Sequence, residues 1–147
     1  MVAGGGKMKD SFDKAIDFVL SIEGGYVNDP SDPGGETKYG ISKRAYPTLD
    51  IQNLTESAAK EIYKRDYWDK LDCDNLFYSF DIVAFDTAVN MGVETTKKFI
   101  EENHTWQDLM LARIDRYIEI SRKNATLQKF FRGWIIRCSK LSKLARG

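Results

Sequence analysis

The chain has 147 residues, of which 42% are hydrophobic and 30% are charged, a length and composition typical of one globular domain with its own core. This composition excludes a disordered tail and a disulfide-stabilised scaffold, and no apolar run is long enough for a membrane-spanning helix. The formal net charge is zero at pH 7, but it is not evenly distributed along the chain.

The first nine residues differ in character from the rest. Residues 1–9 contain three consecutive glycines and lack the apolar stretch that a secretory signal peptide requires. We therefore predict a short flexible leader over residues 1–9 and a single domain over residues 10–147. A protein of this kind that acts outside the cytoplasm needs another route to its target.

The first predicted helix, over residues 11–23, ends in a carboxyl group at an informative position. Its apolar residues recur at helical spacing: Phe12, Ile16, Val19 and Leu20. Glu23 ends the same stripe, where apolar neighbours disfavour a charged carboxylate and so favour a general acid. Gly24 and Gly25 stop the helix at once, which leaves this carboxyl group at the border of a cleft. A structural Glu that caps a helix or pairs with an arginine is the alternative.

The segment from residue 26 to residue 41 is rich in turn-forming residues and predicts an irregular loop or small hairpin. Its acids include Asp29 and Asp32, and glycosidases commonly pair their acid with a second carboxylate beside the scissile bond. Turns also contain Asp for local reasons, because its carboxylate accepts backbone hydrogen bonds. Both interpretations stay open for each of these residues.

The remaining chain predicts helices throughout, so the expected fold class is mainly α. Thr55 caps one helical segment, and residues 79–91 are apolar nearly all round and end at Gly92, as in a helix at the buried centre of a domain. Further helices are expected at about 95–102, 105–122 and 126–144. The core stripe of the second of these comprises Trp106, Leu109, Met110, Ile114, Tyr117 and Ile118.

The C-terminal part of the chain is strongly basic. Residues 113–147 contain ten Lys or Arg and two Asp or Glu, a balance of +8, whereas residues 1–112 contain twelve and twenty, a balance of −8. Such a segment suggests contact with a polyanion, such as nucleic acid, an anionic cell wall or a membrane surface. The same cations could also be the solvated faces of helices.

Residues that could bind a metal are few and scattered. Cys73 and Cys138 match no CxxC or Cys/His spacing and share the chain with a single histidine, His104, so a zinc site is not expected. We predict two reduced, partly buried thiols, with one disulfide as the alternative.

Four blocks, in the same order, resemble glycoside hydrolase family 108. They are the run from Glu23-Gly24-Gly25-Tyr26 to Ile41, and residues 65–68, 84–92 and 131–137. That family comprises N-acetylmuramidases, largely phage and prophage endolysins. The resemblance implies a lysozyme-like fold with a small loop or β-hairpin lobe near residues 26–41. It divides the domain into a glycosidase segment, residues 10–93, and an expected peptidoglycan-binding segment, residues 94–147.

The resemblance gives the essential catalytic role to Glu23, the glutamate of the EGGY motif. A looser similarity to phage lysozymes, which place an Asp nine and a Thr fifteen residues after the catalytic Glu, adds two candidates. Asp32 lies nine residues beyond Glu23, and Thr37 lies fourteen beyond it, one residue short of that pattern. Asp32 is the candidate for holding the attacking water or stabilising an oxocarbenium-like transition state, with Asp29 as its rival.

Three further residues are candidates for substrate binding, each with a structural alternative. Tyr26 and Tyr39 could stack on sugar faces at the cleft rim or pack the small lobe onto the helices. Asn90 could hydrogen-bond the substrate or cap the end of its helix.

Near the C-terminus, Gly133 is expected to permit close packing between helices.

The expected activity is hydrolysis of the β-1,4 bond between N-acetylmuramic acid and N-acetylglucosamine in bacterial peptidoglycan, with no metal or organic cofactor. The protein is expected to be a monomer whose partner is peptidoglycan. It is not expected to bind nucleic acid or to insert stably into a membrane. The resemblance implies synthesis in a bacterial host cytoplasm and access to the wall after holin-type release, with a specialised secretion route as the alternative. Whether the anomeric configuration is retained or inverted depends on the separation of the two carboxyl groups.

Three alternative functions fit parts of the sequence. A lytic transglycosylase also uses one Glu, but its usual motif places Ser after it, where this chain has Gly24. A non-catalytic wall-binding module has no need of Glu23 on an apolar stripe, where a buried acid costs stability. A nucleic-acid binder would rely on residues 113–147, which contain no recognisable motif of that class.

Overall fold

The computed structural model describes residues 5–31 and 33–147, with side chains from residue 11 onward. Helices make up most of this part of the chain: α1 (Gly5–Ile22), α2 (Glu56–Tyr63), α3 (Phe80–Met91), α4 (Val93–Glu102), α5 (Trp106–Lys123) and α6 (Phe131–Arg146). Short strands lie between α1 and α2: β1 (Val27–Asn28), β2 (Glu36–Lys38) and β3 (Ile41–Ser42). A π-helical turn (Lys64–Trp68) continues α2, and 3₁₀ turns form at Cys73–Asn75 and Ala125–Phe130. The predicted mainly α class is confirmed.

Local sequence signals set several helix boundaries. The hydroxyl groups of Thr55 and Thr105 each accept a hydrogen bond, at 3.1 Å, from the amide three residues later, so α2 and α5 both begin after an N-cap. Gly92 ends α3 with φ of 97°, a conformation that glycine adopts without a steric penalty. The predicted helix over residues 79–91 and its end at Gly92 are confirmed.

The first helix begins earlier than its apolar pattern predicted. Residues 1–4 lie outside the described residues, and the rest of the predicted leader belongs to α1, which starts at Gly5. Lys and Met, which occupy residues 7–9, have a high helix propensity, which suits the helix upstream of residue 11, whereas the two glycines that begin it do not. At the other end, the amide of Glu23 still donates to the carbonyl of Val19 at 2.8 Å.

The predicted hairpin is a three-stranded antiparallel sheet in the order β1-β2-β3. Thr37, in the middle of β2, pairs with residues of both neighbouring strands. Tyr39 and Gly40 join β2 to β3 and both have positive φ, 54° and 80°, the combination that suits a tight turn between twisted strands. Ile41 is buried and fixes this sheet against the helices. The sheet and its connections, residues 27–42, are called the strand lobe below.

Helix α3 is the centre of the core, as its composition predicted. All nine residues from 80 to 88 are buried, and the helix contacts α1, α4, α5, α6 and the π-helical turn. The ring of Phe12 meets Trp68 and Phe85 edge to face, with centroids 5.2 and 5.8 Å apart. This aromatic cluster fixes α1, whose last turn leads to Glu23. In the described part of the chain, no helix combines the length and apolar character that crossing a membrane requires.

The core stripe predicted for α5 is confirmed only in part. Leu109, Met110 and Tyr117 are buried, and Trp106 and Ile114 pack against the core, but Ile118 is 36% exposed. Gly133 faces open space, because a Cβ added to it would have no atom within 4 Å. The burial predicted for Ile118 and the close packing predicted at Gly133 are therefore wrong.

Both cysteines, Cys73 and Cys138, are free and buried. Burial raises the pKa of each thiol, which suppresses the reactive thiolate form. The prediction of two reduced thiols is confirmed, and the disulfide alternative is wrong.

Candidate active site

Glu23 lies at the junction between the end of α1 and the strand lobe. Its side chain is 30% exposed, and a Cβ added to the neighbouring Gly24 or Gly25 would have no atom within 4 Å. The carboxyl group is thus partly open to solvent. Its Oε1 accepts a hydrogen bond from Nη1 of Arg137 at 2.7 Å. Glu23 therefore pairs with an arginine, as the structural alternative predicted, and its surroundings are not purely apolar, because α6, which is distant in sequence, brings a guanidinium group to it.

The strand lobe packs directly onto Glu23. A Cβ at Gly40 would lie 2.9 Å from Cβ of Glu23 and 2.6 Å from Oη of Tyr63, so the turn between β2 and β3 has room only for glycine. The hydroxyl of Tyr63 donates to the carbonyl of Tyr39 at 2.7 Å. The amide of Tyr39 donates to the carbonyl of Gly24 at 3.0 Å. These contacts fix the backbone that follows Glu23.

Behind Glu23, Arg137 is held by a buried carboxylate. Nη2 and Nε of Arg137 donate to Asp86 at 2.8 and 3.1 Å, and Nη1 of Arg113 donates to the same carboxylate at 2.8 Å. Burial alone would raise the pKa of Asp86, but the two guanidinium groups outweigh it and hold that pKa below its usual range. Two arginines and two carboxylates thus form a neutral, connected network.

The network extends to Asn90 in the last turn of α3. Nε of Arg113 donates to Oη of Tyr117 at 3.0 Å, and Tyr117 in turn donates to Oδ1 of Asn90. The carbonyl end of the Asn90 side chain is thus held by the protein, which leaves its NH2 group as a donor. Asn90 is half-buried, and its observed partner is a side chain and not the helix end.

Tyr26, Thr37 and Tyr39, three other predicted site residues, lie in or beside the strand lobe. Tyr26 is exposed, and its hydroxyl donates to Oε2 of Glu36 at 3.1 Å. Thr37 is half-buried within β2. The ring of Tyr39 packs against the core, while Nζ of Lys38 lies 5.7 Å from its centroid. The packing alternative thus describes what Tyr39 does in this structure.

Asp29, one of the two candidates for a second carboxylate, is held in a turn by Ser31. Oδ1 of Asp29 accepts hydrogen bonds from the hydroxyl and the amide of Ser31, at 2.7 and 2.9 Å. These two bonds hold the pKa of Asp29 below its usual range and are typical of an Asp that organises a turn. Asp32 lies outside the described residues.

The charged interior of the site was missed in the sequence, although a signal for it exists. Asp86 interrupts the apolar run of residues 79–91, and Arg113 falls on the predicted stripe of α5 between Met110 and Tyr117. A charged residue at a core position must be paired, because an unpaired buried charge is too costly. The same reasoning that singled out Glu23 therefore predicts that Asp86 and Arg113 are paired charges in the core.

Comparison with known proteins relates this arrangement to a family. The family model described as glycosyl hydrolase 108 matches residues 16–92, which include Glu23, the strand lobe and Asp86. The solved structure of SagA from Brucella abortus is 26% identical to this chain, with a TM-score of 0.76, and the match covers 93% of this chain and 94% of the SagA chain. No curated protein matches the chain.

These similarities define the class of protein: the chain is a glycoside hydrolase with a lysozyme-like fold. More specifically, it belongs to glycosyl hydrolase family 108, whose model covers more than half of its length. The resemblance carried by the EGGY motif is confirmed, as is the small strand lobe on a mainly helical fold. The family points to peptidoglycan as the class of substrate.

Proposed function

We propose that this protein is an N-acetylmuramidase that hydrolyses the β-1,4 bond between N-acetylmuramic acid and N-acetylglucosamine, with Glu23 as its general acid. The observation that carries the proposal is the position of Glu23, half-buried between a helix end and the strand lobe and open to solvent on one side. A carboxyl group fixed in this way can meet a glycosidic oxygen with little loss of freedom. It is also the EGGY glutamate of a family 108 chain.

The buried network supports the role of Glu23 by fixing the group that contacts it. Arg137 pairs with Asp86 as well as with Glu23, so the guanidinium group is held in place on its other side. Glu23 would donate a proton to the leaving oxygen as the bond from the anomeric carbon to that oxygen breaks.

Asp32 is the second carboxylate in this proposal, and Thr37 is proposed as a catalytic residue that acts together with it. Asp29 is less suited, because one of its oxygens already accepts two hydrogen bonds from Ser31. Asp32 would orient the water that attacks the anomeric carbon, or stabilise the oxocarbenium-like transition state. The separation of its carboxyl group from that of Glu23 would decide between retention and inversion.

Tyr26 and Asn90 are proposed to contact the glycan. Tyr26 offers an exposed ring on the strand lobe, and Asn90 offers an NH2 group whose direction is fixed by Tyr117. Tyr39 would act mainly through its backbone, since both its amide and its carbonyl hold the lobe in place.

The C-terminal helices would serve both wall binding and catalysis. Residues 94–147 include Arg137, which contacts Glu23 in the other segment, so the two segments would work as one unit. All these groups come from a single chain, and a monomer suffices. The protein would act on the wall after holin-type release from a bacterial host cytoplasm, as an endolysin does.

The test compares the wild type with Glu23→Gln and Glu101→Gln on purified peptidoglycan. Gln keeps the shape of Glu23 but cannot supply the acid proton. Glu101 is exposed on α4 and provides a matched control. We expect soluble hydrated fragments with reducing muramic acid ends, identified by mass spectrometry, from the wild type and the control only.

Each other result points to a different function. Equal product from Glu23→Gln would remove Glu23 from the reaction. Anhydro-muramic ends would make the protein a lytic transglycosylase, because that reaction adds no water. Protein that binds the wall and releases nothing would be a wall-binding module.

A further inference from the structure

Three aromatic rings form a stack that runs from the core to the surface beside α6. The buried ring of Tyr117 stacks on Trp134, with centroids 4.7 Å apart and an interplanar angle of 16°. Trp134 stacks in turn on Phe130, at 6.2 Å and 30°. Phe130 is 47% exposed, so the stack ends in an aromatic surface that faces water.

This stack is continuous with the active site. Trp134 lies one helical turn before Arg137 on α6 and on the same face, and Tyr117 binds Asn90 through its hydroxyl. Phe130, the last residue of the 3₁₀ turn before α6, lies seven residues before Arg137, which corresponds to a rise of about 10 Å at α-helical spacing. A glycan strand that left the active site along α6 would therefore pass this ring.

The exposed ring also lies in the most basic part of the chain. Nζ of Lys129 lies 5.2 Å from the centroid of the Phe130 ring. Residues 113–147 contain ten cations, and since only Arg113 and Arg137 are buried, eight are exposed, against two acids. A ligand that suits this surface should combine an apolar ring face with negative charge.

We propose that Phe130 and Lys129 form a subsite for the part of a peptidoglycan strand that extends beyond the cleaved bond. The apolar face of a sugar ring packs against the exposed part of the Phe130 ring, and a carboxylate of the lactyl group or stem peptide pairs with Lys129. A glycan that carries carboxylates matches both the aromatic surface and its charge. The inference rests on the proposed function, because it extends the same substrate along α6.

The test measures sedimentation of the full chain with insoluble peptidoglycan, in the Glu23→Gln background so that the wall stays intact. Phe130→Leu keeps an apolar side chain but removes the ring. Phe77→Leu is the matched control, because Phe77 is 85% exposed in the segment before α3. Lys129→Gln and Lys143→Gln separate a local contact from general attraction to anions, since both lysines are exposed.

We expect Phe130→Leu and Lys129→Gln to weaken binding about three- to tenfold, while both controls bind like the parent protein. A thermal unfolding scan of Phe130→Leu shows whether the fold is retained. Equal binding by Phe130→Leu and Phe77→Leu would overturn the subsite. Equal losses for the two lysine variants would overturn it too, because they would indicate unspecific attraction.

Failure of this subsite is distinguishable from failure of the proposed function. In the active protein, Phe130→Leu should raise KM and leave kcat unchanged, since the ring binds glycan away from the cleaved bond. If the wild type releases no product but Phe130→Leu weakens binding, the hydrolase proposal falls and the subsite stands. If the wild type hydrolyses the wall and Phe130→Leu has the same KM, the subsite is overturned.

Discussion

The carboxylate of Asp86 and the guanidinium group of Arg137 form a forked pair inside the protein, with 2.8 Å between Oδ1 and Nη2 and 3.1 Å between Oδ2 and Nε. Because the fork occupies two of the three guanidinium nitrogens, it sets the direction of the third, Nη1. That nitrogen is the one that contacts Glu23. The position of the proposed acid thus depends on how α3 and α6 pack, as well as on α1.

Replacement of Asp86 by Asn should strongly destabilise the protein. The variant leaves Arg113 and Arg137 with Glu23 as their one remaining carboxylate in the network, and an unpaired buried charge costs about 3–5 kcal/mol. Urea unfolding measures this loss. Asp17→Asn, at a side chain that is 71% exposed, should change the free energy of unfolding by less than about 1 kcal/mol. Similar stabilities for the two variants would contradict the role of the network.

Replacement of Arg137 by Lys should reduce catalysis more than wall binding. A lysine keeps the charge, but its single nitrogen cannot reproduce the fork to Asp86 together with the contact to Glu23. We expect kcat to fall about a hundredfold, the effect of a misplacement of about 1 Å, with little change in KM. Arg132→Lys, at an exposed position of the same helix, should keep full activity. An undiminished kcat in Arg137→Lys would show that Glu23 needs no support from α6.

Much of the fold was predictable because its signals are local. Thr55 caps a helix through the amide three residues later, and Gly92 ends α3 through its own backbone conformation. The position of Glu23 at the end of a core stripe also follows from spacing within one helix. Each of these features involves residues within a few positions of one another.

The partners of Glu23 were not predictable in this way, because they belong to other helices. Periodicity shows which face of a helix is buried but not which distant charge meets it. Asp86 and Arg137 each lie on a buried face of their own helix, and only the packing of α3 against α6 joins them. Gly40 is similar: composition indicates a turn, whereas its contact with Tyr63 arises from the packing of the lobe.

The segment that follows β3 has a pH-sensitive contact with Asp66 in the π-helical turn. Its carboxylate accepts hydrogen bonds from Arg65 at 2.7 and 2.8 Å and from the hydroxyl of Tyr46 at 2.6 Å. The Arg65 bonds are the main reason why the pKa of Asp66 is lowered from 3.8 to about 2. Because the pKa is lower in the folded state, the stabilisation is complete above about pH 4 and is lost as the pH falls through the folded value.

Asp66→Asn should therefore lower the free energy of unfolding by about 1 kcal/mol at neutral pH, a modest effect because the side chain is 26% exposed. The difference from the wild type should shrink steadily between about pH 4 and pH 2. Urea titrations at several pH values measure it. Tyr46→Phe removes one of the bonds to Asp66 and should show a smaller part of the same dependence. A difference that stays constant with pH would show that the folded state does not stabilise the carboxylate form of Asp66.

Gly40→Ala should damage stability and catalysis together, because the added Cβ would meet both Glu23 and Tyr63 at 3.0 Å or less. The residue also has φ of 80°, where alanine is strained, so we expect a loss of about 2 kcal/mol or more. Gly133→Ala is the matched control: its Cβ has no neighbour within 4 Å, and alanine in a helix should add about 0.5 kcal/mol. Urea unfolding and kcat are measured on both variants. If Gly40→Ala lost stability but kept its kcat, the lobe could shift without moving Glu23, and the turn would not position the acid.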